Sequence, residues 1–214
     1  GLEEGLARGS FPHAVFLCGE DVTLREWLVD RMRQAHRASG GEVESVQASE
    51  TGPSAALDLL VQGGLFSSRR LVVIRDAESL LGGRGGKPPA QDVQRLGAAL
   101  GNLPETTHAC LVSSRADRKK DALDRAFTRS VSEWADVVVC APLPSSAFAR
   151  FCADRAKEAG LVLSPSDIEA LLAFTGGRAG TAALEILRLA SSGGGGSQEG
   201  AQAGWGAVFS WVDG

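Results

Sequence analysis

No stretch of the 214-residue chain stays apolar over the roughly 20 residues that a membrane-crossing helix needs. The opening GLEEGLARGS lacks the basic start and apolar centre of a secretion signal, so a cytoplasmic protein is expected. The chain begins at Gly1 without a Met, which reads as a trimmed or tag-derived start. Cysteine is scarce, and Cys18, Cys110, Cys140 and Cys152 form no CxxC pair. They read as small buried core residues in a reducing compartment. The three histidines are scattered without ligand spacing, so no metal is expected. Basic residues do not dominate either. With 22 Lys and Arg against 26 Asp and Glu the net charge is −4, which excludes a general DNA-coating protein but leaves room for a local basic patch.

Hydrophobic residues make up 43% of the chain, enough for a sizeable core. HAVFLC (13–18) reads as a strand, and Thr23-Leu24-Arg25-Glu26 as a capping box opening a helix with Leu24, Trp27, Leu28, Met32 and Ala35 on one face. EVESVQA (42–48) alternates like a half-buried strand. SAALDLLVQG reads as a helix ended by Gly63-Gly64. Leu71–Ile74, HACLVSS (108–114) and DVVVCAP (136–142) are further strands, with helices expected around Val93–Leu100 and over 117–127. Strands that alternate with helices and carry continuous apolar runs argue for an α/β domain with a parallel sheet covered on both faces.

After Pro142 only helical patterns follow. One runs from about Ser145 to Ala159. A second starts at Ser164-Pro165 and carries Ile168, Leu171 and Leu172. A third carries Leu184, Ile186, Leu187 and Leu189. The expected domains are therefore 1–142 (α/β), 143–191 (three helices) and 192–214, a glycine-serine linker leading into WGAVFSWVDG, the opening of a further helix.

An α/β domain followed by a small helical domain is the layout of AAA+ ATPases. Such an enzyme needs G-x-x-x-x-G-K-[ST] after its first strand, so that backbone N–H groups and the Lys hold phosphates. The chain has GEDVTLREW there: no second Gly, no Lys, no hydroxyl for magnesium, and Glu20 and Asp21 where phosphates would sit. GGRGGKPP is one residue short of the motif, has Pro88 in place of the hydroxyl and follows the wrong strand, so it reads as a loop. Asp76 and Glu78 stand where magnesium- and water-handling acids would be, with no phosphate loop to serve. No nucleophile-base arrangement stands out, and no cofactor is expected.

The stretch LFSSRRLVVIRDAE (65–78) resembles a pattern of the delta subunit of bacterial DNA polymerase III: an apolar residue, Phe, a short polar step, Arg-Leu and a strand. RADRKK (115–120), CAPL (140–143), KEAGLVLSPSDIEALL (157–172) and LEILRL (184–189) are similar to later parts of the same family, with Arg188 where Lys is common. The resemblance implies a degenerate AAA+ domain without a working phosphate loop, a helical lid and a third, collar domain, of which only the last residues here would be the start. It implies a non-catalytic subunit of the clamp loader, which opens the sliding clamp in DNA replication. The implied partners are the clamp (the beta subunit), the gamma/tau ATPase and delta-prime subunits through the collar, and primer-template DNA. In the family an adjacent apolar pair inserts into a pocket on the clamp, and here that pair is Leu65-Phe66. Gly63 stands where many relatives carry a larger residue, a departure that weakens support for the pair. Arg115, Arg118, Lys119 and Lys120 surround one acid, Asp117, and are either a solvated helix start or a contact with DNA or a neighbouring subunit. Two rival readings are a delta-prime-like subunit and an atypical nucleotide phosphotransferase. Against the first, Ser114-Arg115 is followed by Ala116, and the cysteine spacing does not suit zinc.

Overall fold

A computed structural model describes residues 12–62, 69–81, 89–113 and 131–192. The chain divides between Cys140 and Ala141 into two compact units. In the first, β1 (Ala14–Cys18), β2 (Glu42–Gln47), β3 (Arg70–Arg75), β4 (Thr107–Val112) and β5 (Asp136–Val139) form one sheet in the order β2-β3-β4-β1-β5. Every pairing is parallel. The helices are α1 (Val22–Ala38), α2 (Ala48–Thr51), α3 (Pro53–Val61) and α4 (Ala90–Gly101), with a 3₁₀ turn at Ala77–Leu81.

The sheet is buried on both faces because alternate residues of a strand point to opposite sides. Ala14, Phe16, Val72, Ile74, Ala109 and Leu111 meet Leu60 of α3, Leu80 of the 3₁₀ turn and Leu96 of α4 on one face. Val15, Leu17, Leu71, Val73, Cys110 and Val112 meet Leu28, Val29 and Met32 of α1 on the other. Burial is strongest in the three central strands. The outer strands β2 and β5 keep polar or half-exposed positions, with Val139 of β5 51% exposed.

The first helix is capped two residues before the expected Thr23. Asp21 is its N-cap, and the Asp21 carboxylate accepts the Leu24 N–H at 2.9 Å. The buried stripe of α1 is Arg25, Leu28, Val29, Met32 and His36, so two polar residues lie within a face expected to be apolar, while Leu24 and Trp27 are only partly buried and Ala35 is not in the stripe. The helix that was to end at Gly63-Gly64 is described to Val61, with Gln62 extended. The glycines, the 82–88 loop and the 117–127 helix lie outside the described residues.

The second unit contains α5 (Ser145–Glu158), α6 (Pro165–Thr175) and α7 (Ala179–Ser192). Helix α6 opens as its sequence dictates: Ser164 and Asp167 form a reciprocal capping box, and Pro165 occupies the first turn. It ends at Gly176, whose φ of 61° is the left-handed conformation that glycine adopts without penalty. The core is Phe148, Cys152, Ala156, Leu171, Ala182 and Ile186. Of the four apolar positions expected to matter on α7, only Ile186 is buried. Leu184 and Leu187 are 52% and 50% exposed. The small residues Ala179, Ala182 and Ala183 form the inner face instead, since short side chains let a neighbouring helix approach closely.

Candidate functional site

In an open parallel sheet, ligands bind beyond the carboxyl ends of the strands, where helix N-termini meet them. The turn from β1 to α1 is the first place to look. Gly19 has a φ of 110°, and a Cβ there would lie 2.2 Å from the Cys140 carbonyl oxygen. The Asp21 N–H donates to that same carbonyl at 2.9 Å. Asp21 is 1% exposed, and its carboxylate fills the first turn of α1. The donors that would cradle a phosphate are thus engaged by the chain itself, in a turn that also carries the wrong charge.

Beside this turn lies a cavity of about 340 Å³ lined by residues of α1 and the ends of β2, β3 and β4, among them Arg25, Glu26, Arg75, Asp76 and Ser113. Arg75, the last residue of β3, donates from both terminal nitrogens to the two oxygens of Glu26, each at 2.6 Å. This bidentate bond, with further help from Arg33 and Arg25, holds the Glu26 carboxyl below its ordinary range. The same bond pushes the Arg75 guanidinium up. Arg25 is 4% exposed and donates to the Ser113 carbonyl at 2.5 Å. Asp76 has a φ of 51° and accepts from Gln47 Nε2 at 2.9 Å and Ser49 Oγ at 2.7 Å, bonds that tie it to the end of β2. Glu78 is buried in the 3₁₀ turn. The two acids at the end of β3 therefore belong to the framework. A larger open groove of about 640 Å³ runs between α4 and Trp134, and Glu133 is the one ionisable group among its described lining residues.

Leu65, Phe66, Arg115, Arg118, Lys119 and Lys120 all lie outside the described residues. What is described is the frame around Leu65-Phe66. Arg70, at the start of β3, donates from Nη1 to the carbonyls of Leu59 (3.0 Å) and Gln62 (2.8 Å), and pairs with Glu44 of β2. The last carbonyls of a helix have no partner within it, and a guanidinium supplies one. Arg70 thus fastens the end of α3 and the beginning of β3, the two points between which the Leu65-Phe66 segment is strung. The sequence reading used Arg70 only as a motif letter. The available signal was an arginine opening an apolar strand, with the acids Glu42 and Glu44 in the stretch that reads as the strand before it.

All four cysteines are free and buried. Burial pushes the Cys110 and Cys140 thiols up to about 12 and Cys152 up to about 11. The histidines, scattered in sequence, are together in space. The register that sets Ala14 beside Ala109 sets His13 beside His108. Their ring centroids are 6.2 Å apart, and His36 at the end of α1 is 5.7 Å from His108. His108 and His13 meet the backbone carbonyls of Pro12 and Pro104 at 3.0 and 3.1 Å. Among the described residues no group of His, Cys, Asp or Glu is arranged to hold a metal.

The sequence model of the family described as "DNA polymerase III, delta subunit" matches residues 16–136, more than half of the chain. The chain belongs to this family. The match runs from Phe16 in β1 to the first residue of β5, taking in all of β2, β3 and β4, residues 65–66 and Arg70. Among solved structures, the chain is similar in fold to the Bacillus subtilis DNA clamp loader delta protein. That match has 19% identity and a TM-score of 0.65, and covers 91% of this chain and 57% of that one. The chain thus spans a little over half the length of that delta protein. The AMPPCP-bound DnaA of Aquifex aeolicus is a more distant likeness, with 21% identity, coverage of 80% and 54%, and a TM-score of 0.46. No curated protein matches. The fold is α/β: a unit built on a parallel five-stranded sheet, followed along the chain by a small unit whose described elements are three helices.

Proposed function

We propose that the chain is the clamp-handling part of a clamp-loader delta subunit. It binds the sliding clamp through Leu65-Phe66 and opens it during DNA replication, without hydrolysing nucleotide itself. Membership of the delta family, through a match that spans this segment, is the observation that carries the reading. Two features of the geometry support it. Arg70 fixes both ends of the presenting segment, which lowers the ordering cost of binding. The β1–α1 turn is closed by Gly19, Asp21 and the Cys140 carbonyl, which argues against phosphate binding there.

In this reading residues 143–191 act as the lid and 192–214 lead to the collar. The ATPase and delta-prime subunits are met through that collar, and Arg115, Arg118, Lys119 and Lys120 face DNA or a neighbouring subunit. The test is calorimetric titration of this chain with a purified bacterial sliding clamp. Saturable binding is expected. No heat, together with no co-migration in gel filtration at tens of micromolar, would overturn the reading.

A further inference from the structure

The cavity at the carboxyl ends of β2, β3 and β4 holds an arginine where an α/β protein commonly binds an anion, and that arginine is already paired. The pairing is two-pronged and comes from α1, the helix that follows β1. The neighbouring charges are spoken for as well: Arg25 by the Ser113 carbonyl, Asp76 by Gln47 and Ser49. We propose that the cavity is an anion site occupied from within. The Glu26 carboxylate is its resident anion and takes the place that a polyphosphate would fill in tying α1 to the end of β3.

Three observations converge on this. The location is at the carboxyl ends of the strands, the side on which open α/β sheets bind ligands, next to the start of α1. The Glu26–Arg75 geometry is that of guanidinium recognising a planar anion, with both N–H···O distances at 2.6 Å. The helix N-terminus, the usual alternative anchor, is closed by Asp21. A side chain fixed to its own backbone has a high effective concentration, so a free anion competes poorly against it. The consequence is a domain held in one posture irrespective of nucleotide: α1 is linked to β3 through Glu26 and to the end of β4 through Arg25. The side chains of Arg75 and Glu26 are 29% and 42% exposed, so an anion from solvent can reach the site once Glu26 is gone. The inference does not rest on clamp binding, and its test contains no clamp.

The experiment titrates inorganic pyrophosphate into the parent chain, Glu26→Ala and the double variant Glu26→Ala/Arg75→Ala at constant ionic strength, reading calorimetric heat and Tm. Glu26→Ala is expected to bind pyrophosphate at least about tenfold more tightly than the parent and to gain several degrees of Tm from it, both gains vanishing in the double variant. Equal binding by all three proteins would place the anion elsewhere, for example on Arg115–Lys120, and would overturn the proposal. So would a folded Glu26→Ala that binds no pyrophosphate. A second readout covers a variant that folds poorly. Refolding of Glu26→Ala should give more folded protein in pyrophosphate than in chloride, and equal recovery would also contradict the resident-anion role.

Discussion

Single residues decide what the crevice at the strand ends can do. Gly19 is the plainest case, because its positive φ and the Cys140 carbonyl 2.2 Å from any added Cβ leave no room for a side chain. Gly19→Ala is expected to cost about 2–4 kcal/mol of stability in urea denaturation, since it combines backbone strain with a clash against main chain. A loss under 0.5 kcal/mol would mean that the turn relaxes easily. The cysteines give a second check. With Cys110 and Cys140 pushed up to about 12 by burial, almost no thiolate exists at pH 8. A thiol reagent such as DTNB should leave the native protein nearly unlabelled and react with four thiols after denaturation. Rapid native labelling of either residue would contradict its burial. Core cysteines were legible in the sequence because they stand among apolar neighbours. Asp21 as the cap was not, because Thr23 and Glu26 mimic a capping box two residues later while Glu26 is engaged by Arg75.

At the scale of elements, periodicity carried most of the fold. The three central strands are continuous apolar runs, and α6 announces both its ends with Ser164-Pro165 and Gly176. Periodicity failed where a polar residue is buried for a partner far along the chain. Arg25 is inside because Ser113, 88 residues away, supplies a carbonyl. Helix α7 misled for the opposite reason: its leucines look like a core stripe, but its alanines fit the neighbouring helix. Arg70 is the element-level part of the candidate site. Arg70→Met keeps much of the apolar stem but removes three bonds, and should lower stability by about 1–3 kcal/mol. Clamp affinity should also weaken, by more than about fivefold at a temperature where the variant is folded. Unchanged affinity would show that the ends of the Leu65-Phe66 segment need no fastening.

For the whole molecule, two groups among the described residues bear on the pH response on the acid side of neutrality. Burial, then the nearby His108, lowers His36 from its ordinary value of 6.5. The unfolded chain therefore binds more protons than the folded one just below that value, and stability falls as pH drops from about 6.5 through the folded value. The bond to Arg75 lowers Glu26 from 4.5, so its contribution is present above 4.5 and is lost as pH falls through the folded value. A denaturation midpoint that is level between about pH 7 and 8, declines toward 5.5 and drops again below 4.5 is expected. A midpoint that rises between pH 7 and 5.5 would contradict the burial of His36.

The central claim is that Leu65-Phe66 meets the clamp, and sequence reasoning reached it through family resemblance rather than geometry. A Leu or Phe buried at an interface contributes about 1.5–3 kcal/mol, and such anchors dominate small interfaces. The most direct measurement pairs clamp affinity with Tm for Leu65→Ala, Phe66→Ala and Leu60→Ala, the last a fully buried position on α3. Phe66→Ala should lose roughly thirtyfold in clamp affinity, about 2 kcal/mol, with Tm close to the parent's, and Leu65→Ala should follow the same pattern. Leu60→Ala should lose about 2–5 kcal/mol of stability, yet bind the clamp like the parent while folded. If instead the Leu65 and Phe66 variants melt early like Leu60→Ala and bind normally when folded, the pair belongs to the core and the clamp-binding assignment is wrong.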